Sequence, residues 1–304
     1  MPFRRLVKRC GAGLVVSEMI ASAAMVRQTR QTMKMVTNCA EEHPMAVQLA
    51  GCEPHVMAEA AKLNEDRGAA IIDLNMGCPV KKIVKGDAGS ALMRDEVTAG
   101  RIIEAVVKAV RLPVTLKMRT GWDQSNRNAP RLAKIAEDCG VKMVTVHGRT
   151  RCQLYSGRAD WAFIGSVKRS VGIPVVGNGD VNSLEDARNL LALSASDGVM
   201  VGRGAYGKPW FLNQIAHFLK TGERLPEPSL QTQLAILHEH YEAMLEHYGS
   251  EVGVCIARKH VAWYSKGLPG SGEFRATLNR AAEPAAVRRL IDDFYLPLLE
   301  REVV

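Results

Sequence analysis

The sequence predicts an α/β fold, a (β/α)8 barrel followed by a small all-α domain, and three observations carry that prediction. Between residues 13 and 204, short β-branched runs alternate with amphipathic helical stretches, the pattern of parallel strands covered by helices. Polar and glycine-rich turns follow the carboxyl ends of those runs, where a barrel of this type carries its active site. Beyond residue 225 the strand pattern stops and only helical periodicity remains.

The chain opens on a helix, with Pro2 in its first turn, Arg4 to Arg9 within it and Gly11 at its stop. Strands are expected at 14–17, 45–49, 71–75, 114–118, 143–147, 174–177 and 198–202, separated by helices such as 55–67 and 97–110. These are seven strands, whereas a closed barrel of this type has eight. The missing unit falls at the N-terminus, so the first barrel strand and its loop are expected to be absent from this chain. A barrel short of one strand leaves two edges unpaired. After Gly222, residues 225–228 (LPEP) read as a linker, and helices are expected at 229–248, 253–266, 272–280 and 284–299. Helices of this length pack as a small bundle. The expected domains are 1–224, the barrel, and 225–304, the bundle.

A chain of 304 residues with 47% hydrophobic and 24% charged residues can bury a large core and is neither disordered nor collagenous. No uncharged apolar stretch reaches membrane-helix length, and the basic start lacks the apolar run of a signal peptide. The seven cysteines form no CxxC pair and are odd in number, which fits reduced thiols in the cytoplasm better than a disulfide framework or a zinc cage. The net charge is +8, with the basic excess before residue 226 and an acidic balance after it. Such a field attracts nucleic acid or phosphorylated small molecules without choosing between them.

The expected strand ends collect the candidate site. Gly177, Asn178, Gly179 and Asp180 close one strand, and Gly202, Arg203 and Gly204 the next. Two glycine turns at consecutive strand ends, with an arginine, read as a phosphate site, because backbone N–H groups can there approach an anion. Lys117 is expected to face the barrel mouth as a Schiff-base amine or as a cation opposite an anionic ring. His147 faces it as a base or hydrogen-bonding group. It has no second His or carboxylate at metal-ligand spacing, so no metal is expected. Cys78, between Gly77 and Pro79, is either a proton donor or nucleophile or an inert buried thiol. In the bundle, Arg258, Lys259 and Lys266 around Trp263 either grip RNA backbone or form a solvated face over a core tryptophan.

Taken together, DLNMGCP with KGDAGSALM, LKMRTGW, VHGRTRCQLYSG, VVGNGDV and VGRGAYGKPWF resemble the bacterial tRNA-dihydrouridine synthases, and most closely their B-type branch. The similarity runs along essentially the whole chain, including RKHVAWYSKG in the helical part. The resemblance implies an FMN-dependent, NADPH-driven oxidoreductase that saturates the C5–C6 bond of uridines in the tRNA D-loop, with Cys78 as the proton donor. It implies that Gln48, Lys117 and His147 hold the flavin ring, and that Asn178, Gly179, Asp180, Gly202 and Arg203 hold its ribityl chain and phosphate. Asn75 would orient the flipped uracil, and Arg149, Arg258 and Lys259 would contact the RNA. The family's Ala-Pro-Met-type loop precedes a Pro-Phe-Arg segment. This sequence begins at Met1-Pro2-Phe3-Arg4, so the chain as written is expected to bind FMN weakly and to be poorly soluble or inactive. Alternatives are an FMN barrel acting on free pyrimidines, an inactive truncated RNA-binding relative, and a phosphate-binding lyase using Lys117.

Overall fold

The computed structural model describes residues 2–27 and 42–302. It divides into two compact units, Ala12–Gly204 and Met1–Gly11 with Ala205–Val304. The first helix, α1 (Pro2–Arg9), belongs to the second unit, as do residues 205–224; the sequence had grouped both with the barrel.

The first unit is built on a parallel sheet of β1 (Val15–Val16), β2 (Ile20–Ala21), β3 (Met45–Ala50), β4 (Ile71–Met76), β5 (Val114–Arg119), β6 (Met143–His147), β7 (Val175–Asn178) and β8 (Gly198–Met200). Strands β3 to β8 pair in sequence order, and β1 and β2 both pair with β3. The strand expected at 14–17 is the short β1, and β2, outside that range, is a second short piece along the same neighbour. They are interrupted where the Ser17 hydroxyl, instead of backbone, accepts from Gln48 N at 2.9 Å. All pairings are parallel, and among the described residues none joins β1 to β8. This is the arc of a (β/α)8 barrel.

Helices α2 (Ser22–Val26), α3 (Pro54–Glu65), α4 (Lys81–Val84), α5 (Glu96–Ala109), α6 (Ala129–Asp138), α7 (Trp161–Ser170) and α8 (Leu184–Ser194) alternate with the strands. Local chemistry starts them: Asp95 caps α5 through Thr98 N, Asp160 caps α7 through Phe163 N, and Ser183 with Asp186 forms a capping box on α8. Alternation along the strands separates two kinds of side chain. Ile72, Leu74, Leu116, Met118, Val144 and Val146 are fully or almost fully buried apolar residues. The opposite parity carries Asp73, Asn75, Thr115, Lys117, Arg119 and His147. The register sets Asn75 beside Lys117, Arg119 beside His147, and His147 beside Asn178. A strand row of polar residues at this depth requires hydrogen-bond partners within the fold.

The second unit contains α1, α9 (Phe211–Thr221), α10 (Leu230–Tyr248), α11 (Ser250–Tyr264), α12 (Ser271–Leu278) and α13 (Pro284–Glu302). Ser229 caps α10, and Gly249 ends it. Leu237, Tyr241, Met244, Ala257, Val261, Val287, Ile291 and Tyr295 form its core. No helix among the described residues is long and apolar enough to cross a membrane.

Candidate active site

The site is organised from a buried carboxylate upward. Asp73 accepts from Thr115 Oγ1 at 2.6 Å and from Gln48 Nε2 at 2.7 Å. Burial pushes its carboxyl up, against these two hydrogen bonds and the charge of Lys117, which act to lower it. Gln48 Oε1 in turn accepts from Asn75 Nδ2 at 2.7 Å, which leaves Asn75 Oδ1 directed at the loop beyond β4. There it accepts from Gly77 N at 3.1 Å and Cys78 N at 2.9 Å. Gln48 and Asn75, expected to contact the flavin and the uracil, are therefore links in a chain that fixes the backbone of Cys78. The carbonyl of Cys78 is held as well, by Ser90 Oγ at 2.9 Å and Ser90 N at 3.1 Å. Gly89 (φ +60°) permits this approach, since a Cβ there would lie 2.9 Å from that carbonyl oxygen. The Cys78 side chain remains partly accessible.

Lys117 donates to Asn178 Oδ1 at 3.3 Å, and Asn178 Nδ2 donates to Met200 O at 2.8 Å. Desolvation lowers the Lys117 ammonium to about 8; Asp73 opposes that shift and Arg119 reinforces it. His147 is 8% exposed and is lowered to about 3, by burial first and then by Arg119, Lys117 and Arg149. It is a neutral ring at physiological pH. Gly179 (φ +121°) is packed against it: a Cβ there would lie 2.9 Å from His147 Cδ2 and 2.7 Å from Ala159 Cβ.

Arg149 and Asp180 make a clasp that is buried on the arginine side. Arg149 is 2% exposed; its Nη2 donates to Asp180 Oδ2 at 2.6 Å and to Gly157 O at 2.7 Å, and its Nε to Ser156 O at 3.2 Å. Burial alone would raise the Asp180 carboxyl, but these bonds, with Ala159 N and the charge of Arg203, hold it below its usual range. Arg149 therefore braces the loop after β6 and is not presented to solvent as an RNA contact. Arg203, in contrast, is exposed, 3.7 Å from Asp180 Oδ1 and 4.7 Å from the Tyr155 ring centroid. The backbone at Gly202 borders open space, with nothing within 4 Å of a Cβ placed there.

Sequence reasoning missed Asp73, Thr115, Ser90 and Arg119. Arg119 is 2% exposed, and its guanidinium donates to Gly77 O at 2.9 Å, Thr150 O at 2.9 Å and Leu154 O at 2.8 Å. It thereby ties the cysteine loop to the loop after β6. The available signal was parity, since Asp73 and Arg119 each stand two residues from a residue that was singled out.

In the helical unit, Lys259 is exposed, but Arg258 donates to Asn279 O at 2.7 Å and Ala281 O at 3.2 Å, capping the end of α12. Trp263 is only partly buried and stacks on Tyr206 with ring centroids 4.0 Å apart. Among the described residues, no group of three or more His, Cys, Asp or Glu is placed to hold a metal ion.

A parallel α/β barrel with a lysine, a neutral histidine, a thiol and two glycine turns at its strand ends has the form of a (β/α)8-barrel enzyme. Its backbone matches a solved structure of histamine dehydrogenase from Rhizobium sp. 4-9 with a TM-score of 0.53 at 13% identity, over 72% of this chain. The match spans 42% of that protein's length and establishes the fold. The chain belongs to the dihydrouridine synthase family, whose sequence profile matches residues 1–296. It is 60% identical over 303 residues to a probable tRNA-dihydrouridine synthase of Rickettsia bellii (strain RML369-C), covering 99% of this chain and 93% of that protein. It is 50% identical over 298 residues to tRNA-dihydrouridine synthase B of Xanthomonas axonopodis pv. citri (strain 306), covering 98% of this chain and 90% of the relative.

Proposed function

We propose that the protein is a tRNA-dihydrouridine synthase that reduces the C5–C6 bond of uridines in the tRNA D-loop, with FMN as cofactor and NADPH as reductant. The observation that carries this reading, beyond family membership, is the double anchoring of the Cys78 backbone on Asn75 and Ser90 at the strand ends that also hold Lys117 and His147.

The donor set fits FMN. Lys117 has Asn178 as its one hydrogen-bond partner among the described residues, so N–H groups remain to meet an anionic ring. The open backbone at Gly202 and the exposed guanidinium of Arg203 suit a phosphate. Lys117 and His147 would hold the ring; Asn178, Gly179, Asp180, Gly202 and Arg203 would hold the chain and phosphate. Bound there and reduced by NADPH, FMN would supply the hydride for uracil C6.

The chain's own residues do the rest. Lys117, cationic below about pH 8, places positive charge at the mouth. His147, neutral, can donate or accept one hydrogen bond without adding charge. Cys78 Sγ gives its proton to uracil C5. Asn75 and Ser90 keep that sulfur at one position by holding the backbone on either side of it. Arg119 keeps the cysteine loop against the loop after β6. The helical unit takes part in holding the tRNA, with Lys259 its exposed cation at this stretch.

The test is the visible spectrum of the purified protein. A flavin band that NADPH bleaches, and that unmodified tRNA restores without oxygen, is the expected result. A colourless protein that takes up no added FMN overturns the cofactor assignment. A flavoprotein that free uridine, but not tRNA, reoxidises overturns the substrate.

A further inference from the structure

The loops after β4, β5 and β6 build a second feature that the site above does not use. The Trp122 ring carries two guanidinium groups, Arg94 with its central carbon 4.0 Å from the ring centroid and Arg151 at 4.7 Å. Arg94 lies at the end of the 3-10 turn Gly89–Arg94 that follows the cysteine loop, Trp122 beyond β5 and Arg151 beyond β6. The three residues therefore come from segments that follow the carboxyl ends of consecutive strands, as Cys78 does.

The loops that carry the platform are cross-braced by hydrogen bonds. Arg151 N donates to Gly121 O at 2.9 Å, and Cys152 N to Trp122 O at 2.9 Å, which ladders the two loops together. Gly121 is required at the bend, because a Cβ there would lie 2.0 Å from Asn126 O. Asn128 Nδ2 bonds Met93 O at 2.8 Å and fastens the segment that carries Arg94.

Two like charges on one ring would ordinarily be neutralised by carboxylates. Among the described residues neither Arg94 nor Arg151 has a carboxylate within ion-pair distance, and Arg151 Nε is buried without an acceptor. Arg94 shares a cleft of about 530 Å³ with Asp87 and Asp95, but both Asp95 oxygens are engaged by Thr98. Exposed Lys81, Lys82 and Lys85 extend the positive surface along α4, which packs on the segment carrying Arg94. Held by a ring face instead of by anions, the guanidinium edges stay available for an anion from outside.

We infer that the Arg94–Trp122–Arg151 platform is an RNA-docking surface of the barrel unit, which takes backbone phosphates of the strand flanking the uridine presented to Cys78. The inference rests on the proposed substrate, an RNA strand. Its polyanionic backbone matches the unpaired charge, and a nucleotide drawn out to a strand-end site leaves its neighbours' phosphates at the rim.

The experiment is equilibrium binding of an unmodified tRNA transcript to the purified protein across a salt series, with the double variant R94Q/R151Q. Each phosphate contact contributes about 0.7–0.9 to the slope of log affinity against log salt, so the double variant should flatten the slope by about 1.4–1.8. Lys142→Gln, a charge removal ahead of β6 at the other end of the strands, should leave the slope unchanged. Trp122→Leu should also weaken binding, since it removes the support while keeping both charges. The flavin spectrum and thermal midpoint of R94Q/R151Q should match the parent protein, and its activity at saturating tRNA should be retained while KM rises.

An unchanged slope in R94Q/R151Q, with the parent protein turning over tRNA, overturns this inference and leaves the proposed function standing. An equal flattening by Lys142→Gln reduces the effect to net charge and also overturns it. A platform-dependent slope in a protein that never reduces tRNA supports the docking surface and defeats the proposed function. A parent protein that does not bind RNA overturns both.

Discussion

Asn75 Oδ1 accepts a hydrogen bond from the backbone N of Cys78 at 2.9 Å, while the other end of the same amide donates to Gln48. The relationship transmits order from the barrel interior to its mouth. A carboxylate buried on β4 orients Gln48, Gln48 fixes the amide of Asn75, and Asn75 fixes the turn on which the thiol rides. Asn75→Ala removes an acceptor from two backbone donors and a donor from Gln48. We expect a loss of about 1–3 kcal/mol in urea unfolding, because the freed groups are partly buried. Turnover should fall at least tenfold, with flavin content retained. Loss of the flavin band along with turnover would show instead that Asn75 supports the cofactor region.

Cys78→Ser preserves the backbone anchoring and changes only the acid. Turnover on tRNA should drop by about 10²–10⁴, the range of a positioned proton donor. NADPH should still bleach the flavin at the parent rate. Retained turnover would remove Cys78 from the reaction.

Gly179→Ala is expected to destabilise the fold by about 1–3 kcal/mol, since it combines a positive φ with a close approach to His147. The measurement is the urea midpoint of the purified variant. An unchanged midpoint would mean that His147 and Ala159 can both give way.

Three histidines sit in this fold well below their ordinary range: His147 and His240 at about 3 and His260 at about 4, each chiefly through burial. A histidine lowered on folding binds more protons in the unfolded chain, so stability rises with pH between the two values. Stability should therefore be full above about pH 6.5 and decline as pH falls toward 4. His240→Phe should flatten that decline, followed as urea midpoint against pH. A decline that the variant leaves unaltered would assign it to carboxylates.

Lys117 makes the corresponding prediction on the alkaline side. Its folded value of about 8 lies below the unfolded one, so the cost of burying its charge is present below pH 8 and relieved above it. Stability should rise from about pH 8 toward the unfolded lysine value near 10.4. Lys117→Met should abolish that rise in the same urea series.

The helical stretches around 55–67 and 97–110 were legible in the sequence because an amphipathic stripe and its caps are local. They lie within two residues of the observed α3 and α5. So were the strand ends that carry Lys117, His147 and Cys78, because each of these residues follows or ends a β-branched run. The short strand near residue 15 was less so: its break depends on the Ser17 hydroxyl meeting Gln48 N, a contact between residues 31 apart. Arg149 and Arg258 were expected to contact RNA, and both donate instead to carbonyls of folded loops.

The sequence by itself determined the alternation of parallel strands and helices, the helical tail, and which strand ends carry chemically capable side chains. Periodicity, capping and turn chemistry act over a few residues, and the chain states them directly. Only the tertiary structure decided what those side chains touch. The Asp73–Gln48–Asn75 chain, the Arg149–Asp180 clasp and the Arg94–Trp122–Arg151 platform each join separate strand ends. Partners of that kind are chosen by sheet register, which sets Asn75 beside Lys117 and His147 beside Asn178. A buried polar group must find its acceptor wherever the register places one.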